Sequence, residues 1–155
     1  MNTRREELAW AAGFFDGEGY TSAKPERRDI FIGLRLGISQ SEEPPFSLKR
    51  FREAVSGIGT IHGPYLTMHK PRYTYSANGV EAQAVFAMLA SFLGPEKFKQ
   101  GADKIRIWSA YRQKWQKCAA LGHRIQIGVN ASGGPKRYCM DCVHKTDKSA
   151  EALPE

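Results

Sequence analysis

Leu8-Ala9-Trp10-Ala11-Ala12-Gly13-Phe14-Phe15-Asp16-Gly17-Glu18-Gly19 is a helix-like apolar run that carries two glycines in its interior and ends on an acidic Gly-Glu-Gly. A glycine inside a helix costs roughly 1 kcal/mol relative to alanine, so Gly13 and Gly17 imply a compensating contact. With Ala9 they recur every fourth residue and line one helix face with small side chains. Such a stripe lets a second helix approach backbone to backbone. If that helix is a symmetry copy, two Glu18 carboxylates converge where both helices end. They then lie in the negative potential of the C-termini, where a divalent cation is the natural neutraliser. The plain competitor is an ordinary core helix closed by glycine turn chemistry.

Beyond Gly19 the apolar period shortens to that of a strand. Tyr20 to Ala23, the charged turn Lys24-Pro25-Glu26-Arg27-Arg28-Asp29 and Ile30 to Ser39 read as a long hairpin, with Ile30, Ile32, Leu34, Leu36 and Ile38 on one face. Pro44-Pro45 opens a helix carrying Phe46, Leu48, Phe51 and Val55, which Gly57 stops. Thr60 to Met68 and Arg72 to Ala77 form a second hairpin around His69-Lys70-Pro71. An amphipathic helix from Val80 to Leu93 ends at Gly94-Pro95, and a long one runs from Glu96 to Leu121 with Ile105, Trp108 and Trp115 as a stripe that reads as core packing. Helix, hairpin, helix, hairpin, helix, helix predicts an α+β fold around one four-stranded antiparallel sheet.

The 155 residues suit one core-forming domain with a small appendage: residues 1–117, then 118–145, then a frayed tail, 146–155. A net charge of +7 fits a polyanionic partner without proving one. No apolar run is long enough to span a membrane and no signal-peptide pattern is visible, so no membrane partner and a cytoplasmic location are expected. Three cysteines argue against a disulfide framework and leave metal ligation or free thiols.

Ala11 to Gly19 resembles the LAGLIDADG motif of homing endonucleases, with Gly13, Asp16 and Gly19 matching and Glu18 at the position of the metal-binding acid. Glutamate there departs from the namesake aspartate. The resemblance covers roughly residues 6 to 117 and implies a LAGLIDADG half-domain. One motif copy implies a homodimer joined at Ala9, Gly13 and Gly17, reading a pseudo-palindromic site in double-stranded DNA with its sheet in the major groove. It also implies Mg²⁺ or another divalent cation at Glu18, with the Gly17 carbonyl as candidate companion ligand, and hydrolysis of both strands. Family members carry a polar residue at the end of the second strand, here Gln40, and a basic residue before the last helix, here Lys99 with Lys97 as runner-up. Asp16 reads as a helix-end structural residue. Arg27, Arg28, Arg35, Lys70 and Arg72 are assigned to DNA as a group, since a single charge on an exposed strand is usually just solvated. Enzymes of this kind are encoded by mobile introns, intein-like elements or free-standing phage genes. The alternative is a non-cleaving nucleic-acid-binding protein on the same scaffold, an RNA maturase or a DNA-binding regulator.

Cys118-x4-His123 and Cys139-x2-Cys142 use every cysteine together with one histidine and predict a tetrahedral Cys3His zinc site, with His144 as substitute for His123. This segment resembles small zinc modules attached to phage DNA-acting proteins, Gly122, Asn130 and Gly133 also falling in place. So short a segment has almost no core, which makes Zn²⁺ what orders it. Its basic flanks, Lys136, Arg137, Lys145 and Lys148, suggest contacts to DNA backbone.

Overall fold

The computed structural model describes residues 3–25, 32–66, 70–129 and 135–142. Arg27, Arg28, His144, Lys145, Lys148 and the tail 146–155 lie outside them. In chain order the elements are α1 (Arg4–Glu18), β1 (Gly19–Pro25), β2 (Ile32–Gln40), α2 (Phe46–Ala54), β3 (Thr60–Leu66) and β4 (Pro71–Asn78). They continue with α3 (Val80–Leu89), a 3-10 turn (Ala90–Phe92), α4 (Pro95–Ala120), β5 (Ile125–Val129) and β6 (Pro135–Cys139).

α1 begins at Arg4, ahead of the apolar run, because Thr3 and Glu6 form a capping box. Thr3 Oγ1 accepts the Glu6 N–H at 3.3 Å and Glu6 Oε2 accepts the Thr3 N–H at 2.6 Å, satisfying two of the helix's orphan donors. The helix buries Ala11, Ala12 and Phe15 and passes directly into β1 at Gly19, whose N–H bonds Phe15 O. The helix read as Val80 to Leu93 instead tightens after Leu89 into the 3-10 turn. Leu93 is already extended (φ −73°, ψ 145°), so the last turn closes with shorter-range bonds rather than leaving its carbonyls open before Pro95.

The four-stranded sheet has the order β1-β2-β4-β3, with β4 antiparallel to both β2 and β3. This is the α+β arrangement expected. Contacts divide the chain into two units: residues 1–24 with 33–107, and residues 25–32 with 108–155.

In the first unit, Leu34, Leu36 and Ile38 of β2 and Tyr75 and Ala77 of β4 point to the helical side and are buried. The pairing sets Ile38 opposite Tyr75 and Leu36 opposite Ala77, so both strands bury the same face. Phe15, Leu48, Phe51, Val55, Val85 and Leu89 complete the core. Phe51 is its hub, edge-on to Tyr75 at 4.9 Å and stacked on Phe15 at 6.4 Å between ring centroids.

In the second unit, Trp108 is buried with Arg112 4.7 Å above its ring, and Tyr111 meets Trp115 edge to face at 5.8 Å. Trp108 is the buried member of the α4 stripe, while Ile105, Tyr111 and Trp115 are half-buried. β5 and β6 form a separate antiparallel pair that brings Ile125 opposite Cys139. Five-residue strands are too short for their periodicity to stand out from the sequence.

Candidate active site and metal centre

Glu18 closes α1 with its side chain exposed, and β1 starts at the next residue with no loop between. The start of β1 lies beside the end of β2. A Cβ on Gly37 would come within 2.6 Å of the Tyr20 ring, a contact only glycine allows. Glu18 and Gln40 therefore share one end of the sheet. Gln40 is half-buried opposite Tyr73, whose hydroxyl donates to Glu43 Oε2 at 2.7 Å; that bond to a carboxylate raises the Tyr73 pKa.

Two hydrogen bonds tie the junction of α1 and β1 to the start of α4. Asp16 Oδ2 accepts the Gly94 N–H at 2.8 Å, and Lys97 Nζ donates to Gly19 O at 2.8 Å. Asp16 sits against the positive N-terminus of α4, while Lys97, a cation at the unfavourable end of its own helix, reaches a carbonyl beyond the negative end of α1. Lys97 also lies 5.8 Å from the Phe15 ring centroid. Lys99 is exposed two residues further along α4 and so points away from Lys97. Asp16, Gly94, Pro95, Glu96, Lys97 and Gln100 line an open depression of about 550 Å³.

The second face of α1 holds Ala9, Gly13 and Gly17, all exposed, and a Cβ on either glycine would meet nothing within 4 Å. Among the described residues no side chain fills this stripe. The outer face of the sheet is polar. Arg35, Ser39 and Arg72 are exposed there, and Ser39 Oγ lies 3.0 Å from Thr74 Oγ1. The Pro64 bulge shifts the register of β3 between His62 and Tyr65, leaving Tyr65 and Leu66 exposed near Lys70 at the hairpin end.

Within the second unit, Cys118 from the last turn of α4, His123 from the turn after it, Cys139 from the end of β6 and Cys142 converge. Their candidate ligand atoms all lie within 4.8 Å of one another. Cys118 Sγ is 3.9 Å from Cys142 Sγ, and His123 Nδ1 is 3.4 Å from Cys139 Sγ and 3.3 Å from Cys142 Sγ. A tetrahedron with Zn–S bonds near 2.3 Å and Zn–N bonds near 2.1 Å has edges of about 3.5–3.8 Å, so these spacings suit one ion. Burial opposes ionisation of Cys139, but thiol hydrogen bonds from Cys142 and Cys118 outweigh it and bring its pKa down to about 7. Cys142, hydrogen-bonded to Cys139 and part-buried, is pushed up to about 11. Lys136 and Arg137 lie on β6, with only their backbone described.

No protein-family model matches the chain, and no curated protein matches it. Solved structures do. The homing endonuclease I-CvuI in complex with its target in the presence of Ca has a TM-score of 0.60 at 20% identity, over 72% of this chain and 71% of that one. The LAGLIDADG homing endonuclease I-GzeII in complex with a DNA target has a TM-score of 0.57 at 14% identity, over 69% of this chain and 36% of that one. The LAGLIDADG meganuclease I-CpaMI bound to uncleaved DNA has a TM-score of 0.55 at 16% identity, over 70% and 37%. The fold is the LAGLIDADG half-domain.

Proposed function

We propose that this chain is a metal-dependent, site-specific DNA endonuclease of the LAGLIDADG homing endonuclease kind, a homodimer that hydrolyses both strands of a pseudo-palindromic site. The observation that carries the reading is the pairing of an unfilled Ala9-Gly13-Gly17 face with an exposed Glu18 at its foot. A second α1 on that face brings two Glu18 carboxylates together. The similar structures are described as DNA complexes, two of them spanned by this chain over little more than a third of their length, in keeping with half of a larger cleaving unit.

The exposed Glu18 carboxylate oxygens, with the Gly17 carbonyl as candidate companion, are the hard donors that suit Mg²⁺. When bound, Mg²⁺ supplies Lewis-acid polarisation of the phosphate and an acidified water. Gln40 holds the attacking water by hydrogen bonds, and a lysine of the first turn of α4 offsets the charge that builds on the phosphate oxygens. Sequence pattern points to Lys99 for that role; the bond of Lys97 to Gly19 favours Lys97. Arg35, Lys70 and Arg72, with Arg27 and Arg28 from the β1–β2 connection, contact DNA through the outer sheet face. Cys118, His123, Cys139 and Cys142 hold a structural Zn²⁺ that orders the C-terminal module, where Lys136 and Arg137 add backbone contacts.

The test is cleavage of the uninterrupted DNA that joins the flanks of the gene's element, with Mg²⁺ and with EDTA, by wild type and by Glu18→Gln. Mg²⁺-dependent double-strand cutting that vanishes in the variant while binding persists is expected. Tight binding by both proteins with cutting by neither gives the non-cleaving alternative the lead.

A further inference from the structure

We propose that Asp141, acting through the backbone of Arg124, is a positioning residue of the Cys3His centre. It holds the His123 turn against the Cys139–Cys142 knuckle, with Nδ1 toward the Cys139 and Cys142 thiols, and sets how tightly the metal is held. The inference rests on the zinc reading above.

Asp141 lies between the two cysteines of the knuckle, and Arg124 directly follows His123. The Arg124 N–H donates to Asp141 Oδ2 at 2.7 Å, and Arg124 Nη2 donates to Asp141 Oδ1 at 3.1 Å. In return Arg124 O accepts the Met140 N–H at 2.9 Å. The residue after one ligand is thereby bonded at three points to the two residues between the other ligands. The His123 N–H is itself bonded to Cys118 O at 3.0 Å, and the Cys142 N–H to Cys139 O at 3.1 Å. Every ligand-bearing turn is thus tied to another by backbone, and the imidazole lies with Nδ1 toward Cys139 and Cys142. Outer partners of this kind orient metal ligands, and their loss typically costs 10- to 100-fold in affinity.

The two arms of the clamp are unequal. The Arg124 side chain is 77% exposed, so its ion pair contributes little, whereas the backbone arm fixes the turn. Three variants of the full chain separate them, with Zn²⁺ affinity measured by chelator competition and Co²⁺ absorption reporting the ligand set. Asp141→Ala, which removes both arms, is expected to bind Zn²⁺ about 10- to 100-fold more weakly and to lose it faster, with an unchanged Co²⁺ spectrum at saturation. Asp141→Asn keeps an acceptor for the Arg124 N–H and is expected to recover most of the affinity, which also guards against a misfolded alanine variant. Arg124→Ala is expected to stay within about two-fold of wild type, since an exposed ion pair is worth little. Wild-type affinity in Asp141→Ala, or an Arg124→Ala defect as large as that of Asp141→Ala, overturns the proposal while leaving the zinc reading intact. A wild type that takes up neither Zn²⁺ nor Co²⁺ overturns both.

Discussion

The carboxylate of Asp16 and the backbone N–H of Gly94 meet at 2.8 Å, linking the last turn of α1 to the residue just before α4. Asp16 thus caps a helix from 78 positions away in sequence, and the turn it caps carries Lys97. Asp16→Ala is expected to cost about 1–2 kcal/mol in urea unfolding, the usual worth of a helix cap with favourable charge. It is also expected to slow cleavage, because the lysine loses its fixed footing. Unchanged stability would show that the cap is dispensable.

Lys97 and Lys99 are told apart by substituting each with Gln and measuring single-turnover cleavage at saturating DNA. Lys97 is held at Gly19, one residue from Glu18, while Lys99 points elsewhere on the helix. Removing a donor aimed at developing charge typically costs 10²–10³ in rate, and that loss is expected for Lys97→Gln, with Lys99→Gln within a few-fold of wild type. The reverse order returns the role to Lys99.

The contrast between these lysines shows where sequence stops speaking. Apolar alternation at Leu34, Leu36 and Ile38 and the spacing of Ala11, Ala12 and Phe15 reveal strand and helix because burial imposes period on the chain. The cluster of Cys118, His123, Cys139 and Cys142 is legible because a tetrahedral site would need every one of them. Which lysine faces Gly19 depends on how α4 is rotated against α1, and that is set by Asp16 with Gly94 across a gap no local pattern encodes. Arg124 and Asp141 carry no signal beyond their neighbours' spacing. The Thr3-x-x-Glu6 capping box starts α1 ahead of the apolar run from which the helix is read.

Tyr75 gives a pH dependence with a definite sign. Its hydroxyl donates to Ile58 O at 2.9 Å; burial, then the charge of Glu81, raise its pKa well above the ordinary value of about 10, with Arg52 opposing. The unfolded chain ionises this tyrosine near pH 10 while the folded chain keeps it neutral. Its contribution is therefore full below pH about 10 and is lost as pH rises from there toward the folded pKa. Tyr75→Phe is expected to cost about 1 kcal/mol at pH 7, where Ile58 O loses its donor, and to narrow or reverse that gap at pH 11. Urea midpoints at the two pH values check it, and a constant gap would refute the assignment.

Gly13 offers a way to separate folding from the proposed assembly. Among the described residues a Cβ there meets nothing within 4 Å, so a side chain at this position starts into open space, and Gly13→Leu also removes a helix-interior glycine. The monomer is expected to be unchanged or up to about 1 kcal/mol more stable. A leucine in a close helix crossing holds the two backbones apart, since such contacts depend on small residues. Sedimentation velocity is expected to show wild-type dimers and Gly13→Leu monomers, with double-strand cleavage lost although the fold, read by circular dichroism, is intact. If Gly13→Leu still sediments as a dimer, the α1 stripe is not the seam, and the two Glu18 carboxylates do not meet there.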